Sequence, residues 1–205
     1  EYDGSAYCGW QYQPNGLTLQ EVFEKSLLKI TKVKTNAVAS GRTDSGVHAE
    51  GQVVHFITNS QMTERQFLKA FNSVLPSDIA VLSVEEVSKE FNARASATGK
   101  IYRYTILNRD YPSALQHGRA WYIPFKLNVA GMKRATKHLI GQHDFSAFRA
   151  SNCEAKSPVR RILRIDFKKA GGFLHLTFEG SGFLKYMIRN IMGTLVEVGK
   201  GRMTV

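Results

Sequence analysis

The sequence predicts an α+β fold: two similar α/β halves forming a mixed, mostly antiparallel sheet with helices on one face. Three observations carry this expectation. Apolar spacings run helix, strands, helix, strands, and then helix, strands, helix. The strand-like runs are joined by hairpin-type turns, which a parallel βαβ fold does not use. Finally, 43% of the 205 residues are hydrophobic, enough for a substantial core and too many for a disordered chain. The halves divide as residues 1–105 and 106–205, with no internal sequence repeat between them.

Residues 1–16 carry Tyr2-Asp3-Gly4, Tyr7, Gly9-Trp10-Gln11 and Pro14-Asn15-Gly16, a structured loop in which Trp10 folds back onto a core. Thr18 and Glu21 fit a capping box, and Leu19, Val22, Phe23, Leu27 and Ile30 follow at helical spacing. A strand near 36–40 leads into Gly41-Arg42-Thr43-Asp44-Ser45-Gly46-Val47-His48-Ala49, and Gly51 to Thr58 is the returning strand. Thr63 with Gln66 repeats the capping box ahead of Phe67, Leu68, Phe71 and Val74, and Pro76 stops that helix. Ile79 to Val87 is apolar and β-rich and reads as a strand.

Lys100 to Leu107 alternates, placing Tyr102 and Tyr104 on one face and Ile101, Arg103 and Thr105 on the other. Residues 108–127 are loop-rich. Asn128 caps a helix containing Met132, Ala135 and Leu139, which Gly141 ends. His143 to Arg149 form a compact loop, and a strand opened by Arg160, Arg161 and Arg164 runs to the vicinity of Phe167. Lys168 to Gly172 make a hairpin turn, after which Phe173 to Glu179 pairs back. A last helix starts near Gly182 and carries Phe183, Met187, Ile191 and Leu195, with Lys185 and Arg189 on another side. Gly199 to Val205 trail off without a closing strand.

Lys and Arg number 28 against 17 Asp and Glu, a formal charge of +11. Such an excess points to a polyanionic partner, most simply nucleic acid. No apolar run is long enough to span a bilayer and no amphipathic stretch is basic on only one face, so no membrane role is read. Cys8 and Cys153 make neither a disulfide framework nor a metal-type pair, and the six histidines are scattered. The expectation is a reduced, cytoplasmic protein with no metal and no cofactor.

Asp44 is the chemistry candidate. A lone carboxylate on a glycine-bounded loop between two strands is held by a rigid frame and still reaches outward. Taken alone, the segment also fits an ordinary polar turn. A carboxylate can act as a nucleophile on a sugar or an activated double bond, and Arg42 or Arg189 are candidates to hold it ionised. Glu50 has only its nearness in sequence to support a second catalytic role, and a glycosidase needs two carboxylates at a set separation. No Ser-His-Asp order, P-loop or dinucleotide fingerprint is present.

The segment Gly41 to Ala49, followed by Gly51-Gln52-Val53-Val54-His55-Phe56, resembles the signature of the tRNA pseudouridine synthase A family. So do Tyr2-Asp3-Gly4 with Gly9-Trp10-Gln11, Asn92-Ala93-Arg94, Tyr102-Arg103-Tyr104, Asp144-Phe145 with Phe148-Arg149, and Met187-Ile188-Arg189-Asn190-Ile191-Met192-Gly193. These matches run in order over nearly the whole chain. The resemblance implies isomerisation of uridine to pseudouridine in the tRNA anticodon stem-loop, typically at uridines 38, 39 and 40, without cofactor or metal. It implies Asp44 as the nucleophile, attacking either ribose or uracil. Tyr102 matches the family tyrosine that packs against the target base, Arg189 the arginine that pairs with the catalytic Asp, and Arg42 an arginine holding the flipped nucleotide. A homodimer and a basic cleft between the halves, shared between subunits, are also implied. Family members usually add a short strand before Tyr2 and a helix and strand beyond Val205. Two other classes compete: a catalytically silent RNA-binding module, and a nucleoside-type hydrolase that releases uracil.

Overall fold

Four α-helices, seven strands and two 3-10 turns form in the computed structural model, which describes all 205 residues. The chain folds as two units, Glu1–Ala97 and Thr98–Val205. The division falls ahead of the strand bearing Tyr102, so that strand lies wholly in the second unit.

In the first unit, helix α1 (Leu19–Thr31) starts where Thr18 Oγ1 accepts the Glu21 N–H at 3.3 Å, the cap its sequence suggests. Helix α2 (Glu64–Val74) has the full capping box: Gln66 N–H bonds Thr63 Oγ1, and Thr63 N–H bonds Gln66 Oε1 at 2.8 Å. The apolar stripes meet through an aromatic cluster in which Phe23 stacks on Phe71 at 4.9 Å, with Phe56 and Phe67 beside them. Strands β1 (Val38–Ala39) and β2 (Val54–His55) pair antiparallel and are each much shorter than the runs around them suggest.

The expected strand over Ile79 to Val87 does not form. Asn72 of α2 takes both polar groups of Val81, donating Nδ2–H to its carbonyl and accepting its N–H at Oδ1, each at 2.8 Å. Glu64 Oε1 accepts the Glu86 N–H at 2.8 Å. Side chains of α2 thus satisfy backbone that a neighbouring strand would otherwise have to pair. The apolar residues Ile79, Val81 and Val84 pack against the α1–α2 cluster instead.

The second unit is built on a five-stranded sheet. Its strands are β3 (Lys100–Asn108), β4 (Trp121–Ile123), β5 (Gly141–Asp144), β6 (Val159–Ala170) and β7 (Phe173–Gly180), in the order β4-β3-β7-β6-β5. Only β3 and β4 run parallel, so the sheet is mixed and mostly antiparallel. The β6–β7 turn is Gly171-Gly172, with φ of 54° and 85°, the pair of positive angles that a two-residue type I′ turn requires.

Burial alternates along β7, with Leu174, Leu176 and Phe178 inward. Their cross-strand partners Ile106, Tyr104 and Tyr102 on β3 share that face. Helices α3 (Val129–Thr136) and α4 (Met187–Gly199) cover it with Met132, Met187, Ile191, Met192 and Leu195. Helices therefore lie on one face of this sheet, as the sequence suggests. Leu176 is fully buried at the centre. Leu176→Ala is expected to destabilise this unit by about 2–5 kcal/mol, read as a lower denaturant midpoint.

Several boundaries differ from the sequence reading. Helix α4 begins at Met187, not near Gly182, because Tyr186 is left-handed with φ 61° and interrupts helical geometry. Phe183 and Leu184 still pack on the core, which is why their spacing looks helical. Helix α3 ends at Thr136, and Lys137 to Leu139 continue as tight i→i−3 turns. His143 and Asp144 belong to β5, opposite Arg160 and Val159, and not to a loop. Strand β6 runs past Phe167 to Ala170.

Candidate active site

Strands β1 and β2 hold the two ends of the segment 40–49. Ser40 N–H donates to Val53 O at 2.8 Å. The Gln52 side chain donates Nε2–H to Gly41 O at 2.6 Å and accepts from Ser40 Oγ at 2.8 Å. The turn itself is closed by Val47 N–H on Asp44 O at 3.2 Å, with Gly46 at φ 75°. Asp44 is half-buried within this turn and Arg42 is exposed.

The N-terminal loop clamps the same turn along its backbone. Trp10 N–H donates to Thr43 O at 3.0 Å, and Gly46 N–H donates to Tyr7 O at 3.3 Å. Tyr2 and Ala49 exchange both backbone hydrogen bonds, and the Tyr2 hydroxyl meets Thr43 Oγ1 at 2.8 Å. Gly9, with φ 84°, lies so close that a Cβ there would sit 2.6 Å from Thr43 O and 3.2 Å from the Asp44 carbonyl carbon. A Cβ on Gly4 would overlap Val47 O. Tyr2, Tyr7 and Trp10 anchor the clamp by burial in one cluster with Leu19 and Ala39. Burial, and then the hydrogen bond that the Tyr7 hydroxyl donates to Asp78 Oδ1 at 2.7 Å, hold the Tyr7 phenol protonated well above its ordinary range. Trp10 thus folds onto a core, as its sequence setting suggests.

His48 Nδ1 lies 3.1 Å from Gly4 N and 3.0 Å from Asp3 Oδ1. One ring nitrogen serves only one of these at a time. The other ring nitrogen, Nε2, is buried without a hydrogen-bond partner.

The other candidates lie in the second unit. Tyr102, on β3, is half-buried on the helix-covered face and meets the Phe183 ring edge-on at 5.3 Å. Arg189 is exposed in the first turn of α4, with its guanidinium carbon 5.0 Å from the Tyr186 ring centre. A cation in a first turn works against the helix dipole by roughly 0.3–1 kcal/mol, so helix stability does not account for this arginine. Asn190, beside it, donates to Phe148 O at 2.9 Å and ties α4 to the turn after Asp144-Phe145. No group of three His, Cys, Asp or Glu assembles that would hold a metal ion.

Asp44 and Arg42 therefore share one loop, and Tyr102 and Arg189 occupy β3 and α4 of the other unit. The sequence reading missed the support given by Tyr2, Gly4, Gly9 and Gln52. It quoted these residues as motif members but had no local signal to pair Tyr2, Gly4 and Gly9 with a loop roughly forty positions away, or the Gln52 side chain with Gly41.

The sequence model of the tRNA pseudouridine synthase family matches residues 1–94 and 135–205. The chain is 52% identical over 205 residues to the tRNA pseudouridine synthase A of Geobacter sp. (strain M21), covering 100% of this chain and 83% of that protein. It is 46% identical over 204 residues to the Geobacter sulfurreducens protein of the same name, covering 100% and 84%. It is 42% identical over 202 residues to the Burkholderia multivorans one, covering 98% and 75%.

Proposed function

Because this chain belongs to the tRNA pseudouridine synthase family, we propose that it isomerises uridine to pseudouridine in tRNA with Asp44 as the nucleophile. The observation that carries the assignment of Asp44 is its place on a turn whose backbone is hydrogen-bonded on both sides, by β1–β2 and by the N-terminal clamp. Such a frame holds a reacting side chain in fixed geometry through backbone contacts.

The reaction balances without an oxidant or reductant. The Asp44 carboxylate adds to the ribose or to the uracil ring, and the C1′–N1 bond breaks. The uracil turns, a C1′–C5 bond forms, and the bond to Asp44 breaks with its electron pair returning to the carboxylate. C5 loses its proton and N1 gains one, so substrate and product are isomers. The target nucleotide must leave the stack first, at a cost of a few kcal/mol. Arg42, two residues from Asp44 on an exposed position, is suited to a phosphate of that nucleotide. Tyr102 is suited to pack against the target base, and Arg189, exposed in the first turn of α4, to stabilise negative charge that develops during the reaction.

In this reading the target uridines are those at 38, 39 and 40 of the anticodon stem-loop, and the enzyme works as a cytoplasmic homodimer. No helix is long and apolar enough to cross a membrane. Arg189→Ala should lower kcat by roughly 10²–10³-fold, the size of effect expected for one preorganised electrostatic partner. Pseudouridine mapping on tRNA transcripts with each of the three uridines replaced by cytidine tests the target assignment. Product must vanish position by position, and product confined to another arm of the tRNA would refute it.

A further inference from the structure

A groove of about 810 Å³ runs along the first unit beside α1 and β1. That size is within the range of small-molecule sites and suits a nucleotide. Tyr12, Leu28, Lys34, Arg42 and Arg94 line it. Its two carboxylates are engaged within the wall. Glu21 pairs with Lys25 at 2.6 Å, and Glu24 Oε1 accepts the Ala37 N–H and a Gln20 Nε2–H, each at 2.9 Å. With Lys25 set against Glu21, Lys34, Arg42 and Arg94 outnumber the one remaining carboxylate, Glu24, so the lining carries an excess of basic residues.

Two of these positions are fixed by backbone contacts. Arg94 follows Asn92, whose Oδ1 accepts the N–H groups of Arg94 and Ala95, while Ala93 N–H bonds His55 Nδ1 of β2 at 3.1 Å. Arg42 comes from the Asp44 turn itself. At the rim, the Tyr12 N–H is held by Gln20 Oε1 at 3.1 Å while its side chain is 58% exposed. An aromatic ring displayed at the edge of a cationic groove is the arrangement that binds unstacked nucleotides: charge tracks the backbone and the ring stacks on a base.

We propose that this groove binds a nucleotide flanking the target uridine, with Lys34 and Arg94 on its phosphates and Tyr12 stacked on its base. The proposal rests on the reading of the chain as a tRNA-modifying enzyme and deepens it. Continuity with Arg42 makes the bound segment a near neighbour of the reacting uridine. Binding there offsets part of the cost of unstacking the target.

The test uses the full chain, an isolated anticodon stem-loop RNA, and the variants Lys34→Ala, Tyr12→Ala and Tyr12→Phe. Binding is measured against salt, and pseudouridine formation is measured across RNA concentration. Lys34→Ala should flatten the log–log salt slope by about 0.7–0.9 and raise KM roughly tenfold, with kcat retained. Tyr12→Ala should weaken binding roughly tenfold, and Tyr12→Phe should restore it because the ring is what stacks. Lys69→Ala, on the exposed side of α2, serves as the surface-charge control. Unchanged slopes and KM in the Lys34 and Tyr12 variants would overturn the proposal, as would effects seen on whole tRNA and absent on the stem-loop. Absence of pseudouridine from the unaltered protein would overturn the functional reading instead, while the binding slopes would still decide the groove.

Discussion

Asp44→Asn is expected to abolish pseudouridine formation while tRNA still binds. Asparagine keeps the size of the side chain, and the turn is held by backbone groups of Thr43, Asp44, Gly46 and Val47, which the substitution does not touch. What is lost is the ionised oxygen that attacks. Removing a nucleophile costs about 10⁴-fold or more in kcat, and the dissociation constant for tRNA should move only a few-fold. Single-turnover kinetics and a binding titration on the same preparation read both quantities. A variant that keeps the original rate would remove Asp44 from the reaction.

The second large effect comes from a residue with no chemistry of its own. Gly9→Ala places a methyl group 2.6 Å from Thr43 O and 3.2 Å from the Asp44 carbonyl carbon, at a backbone φ of 84°. Both contacts are main chain, so no flexible side chain can move out of the way. The clamp and the turn must separate, and with them the position of the Asp44 carboxylate. A misplacement on the order of 1 Å costs about 10²-fold in rate. The left-handed conformation adds roughly 1–2 kcal/mol of destabilisation for a residue with a Cβ. Gly51→Ala is the comparison, since a Cβ there meets nothing within 4 Å and no positive φ opposes it. Pseudouridine formation should fall in the first variant and stay near its original rate in the second.

How much of this was legible in the chain follows from how far each interaction reaches. The caps of α1, α2 and α3 join residues three apart, so Thr18, Thr63 and Asn128 announce their helices. The Gly171-Gly172 turn is equally local, and the β6–β7 hairpin follows from it. The run from Ile79 to Val87 has the composition of a strand, but its backbone partners are Asn72 and Glu64, whose reach no periodicity reveals. Likewise, the spacing from Phe183 to Leu195 records burial on the core rather than helix continuity, so the break at Tyr186 went unseen.

The site divides in the same way. Asp44 stood out because its own neighbours, Gly41 and Gly46, shape the turn. Arg42 and Arg189 were candidate charge partners on residue type alone, and only the family resemblance gave them and Tyr102 distinct roles, since a tyrosine on a strand and an arginine on a helix are commonplace. The clamp formed by Tyr2, Gly4, Gly9 and Trp10 is a contact between backbones distant in sequence. Paired glycines beside buried aromatics were its only trace. Once the fold brings the two segments together, they leave no room for a Cβ at Gly9.

The central claim is that uridine in tRNA leaves as an isomer, still attached to the RNA. The most direct test is a mass balance on an anticodon stem-loop carrying labelled uracil. Digestion after reaction should return the label as pseudouridine and remaining uridine, with no free uracil. Label released as free uracil would make the protein a hydrolase, and label recovered entirely as uridine from RNA that remains bound would make it a silent binder; either result contradicts the account.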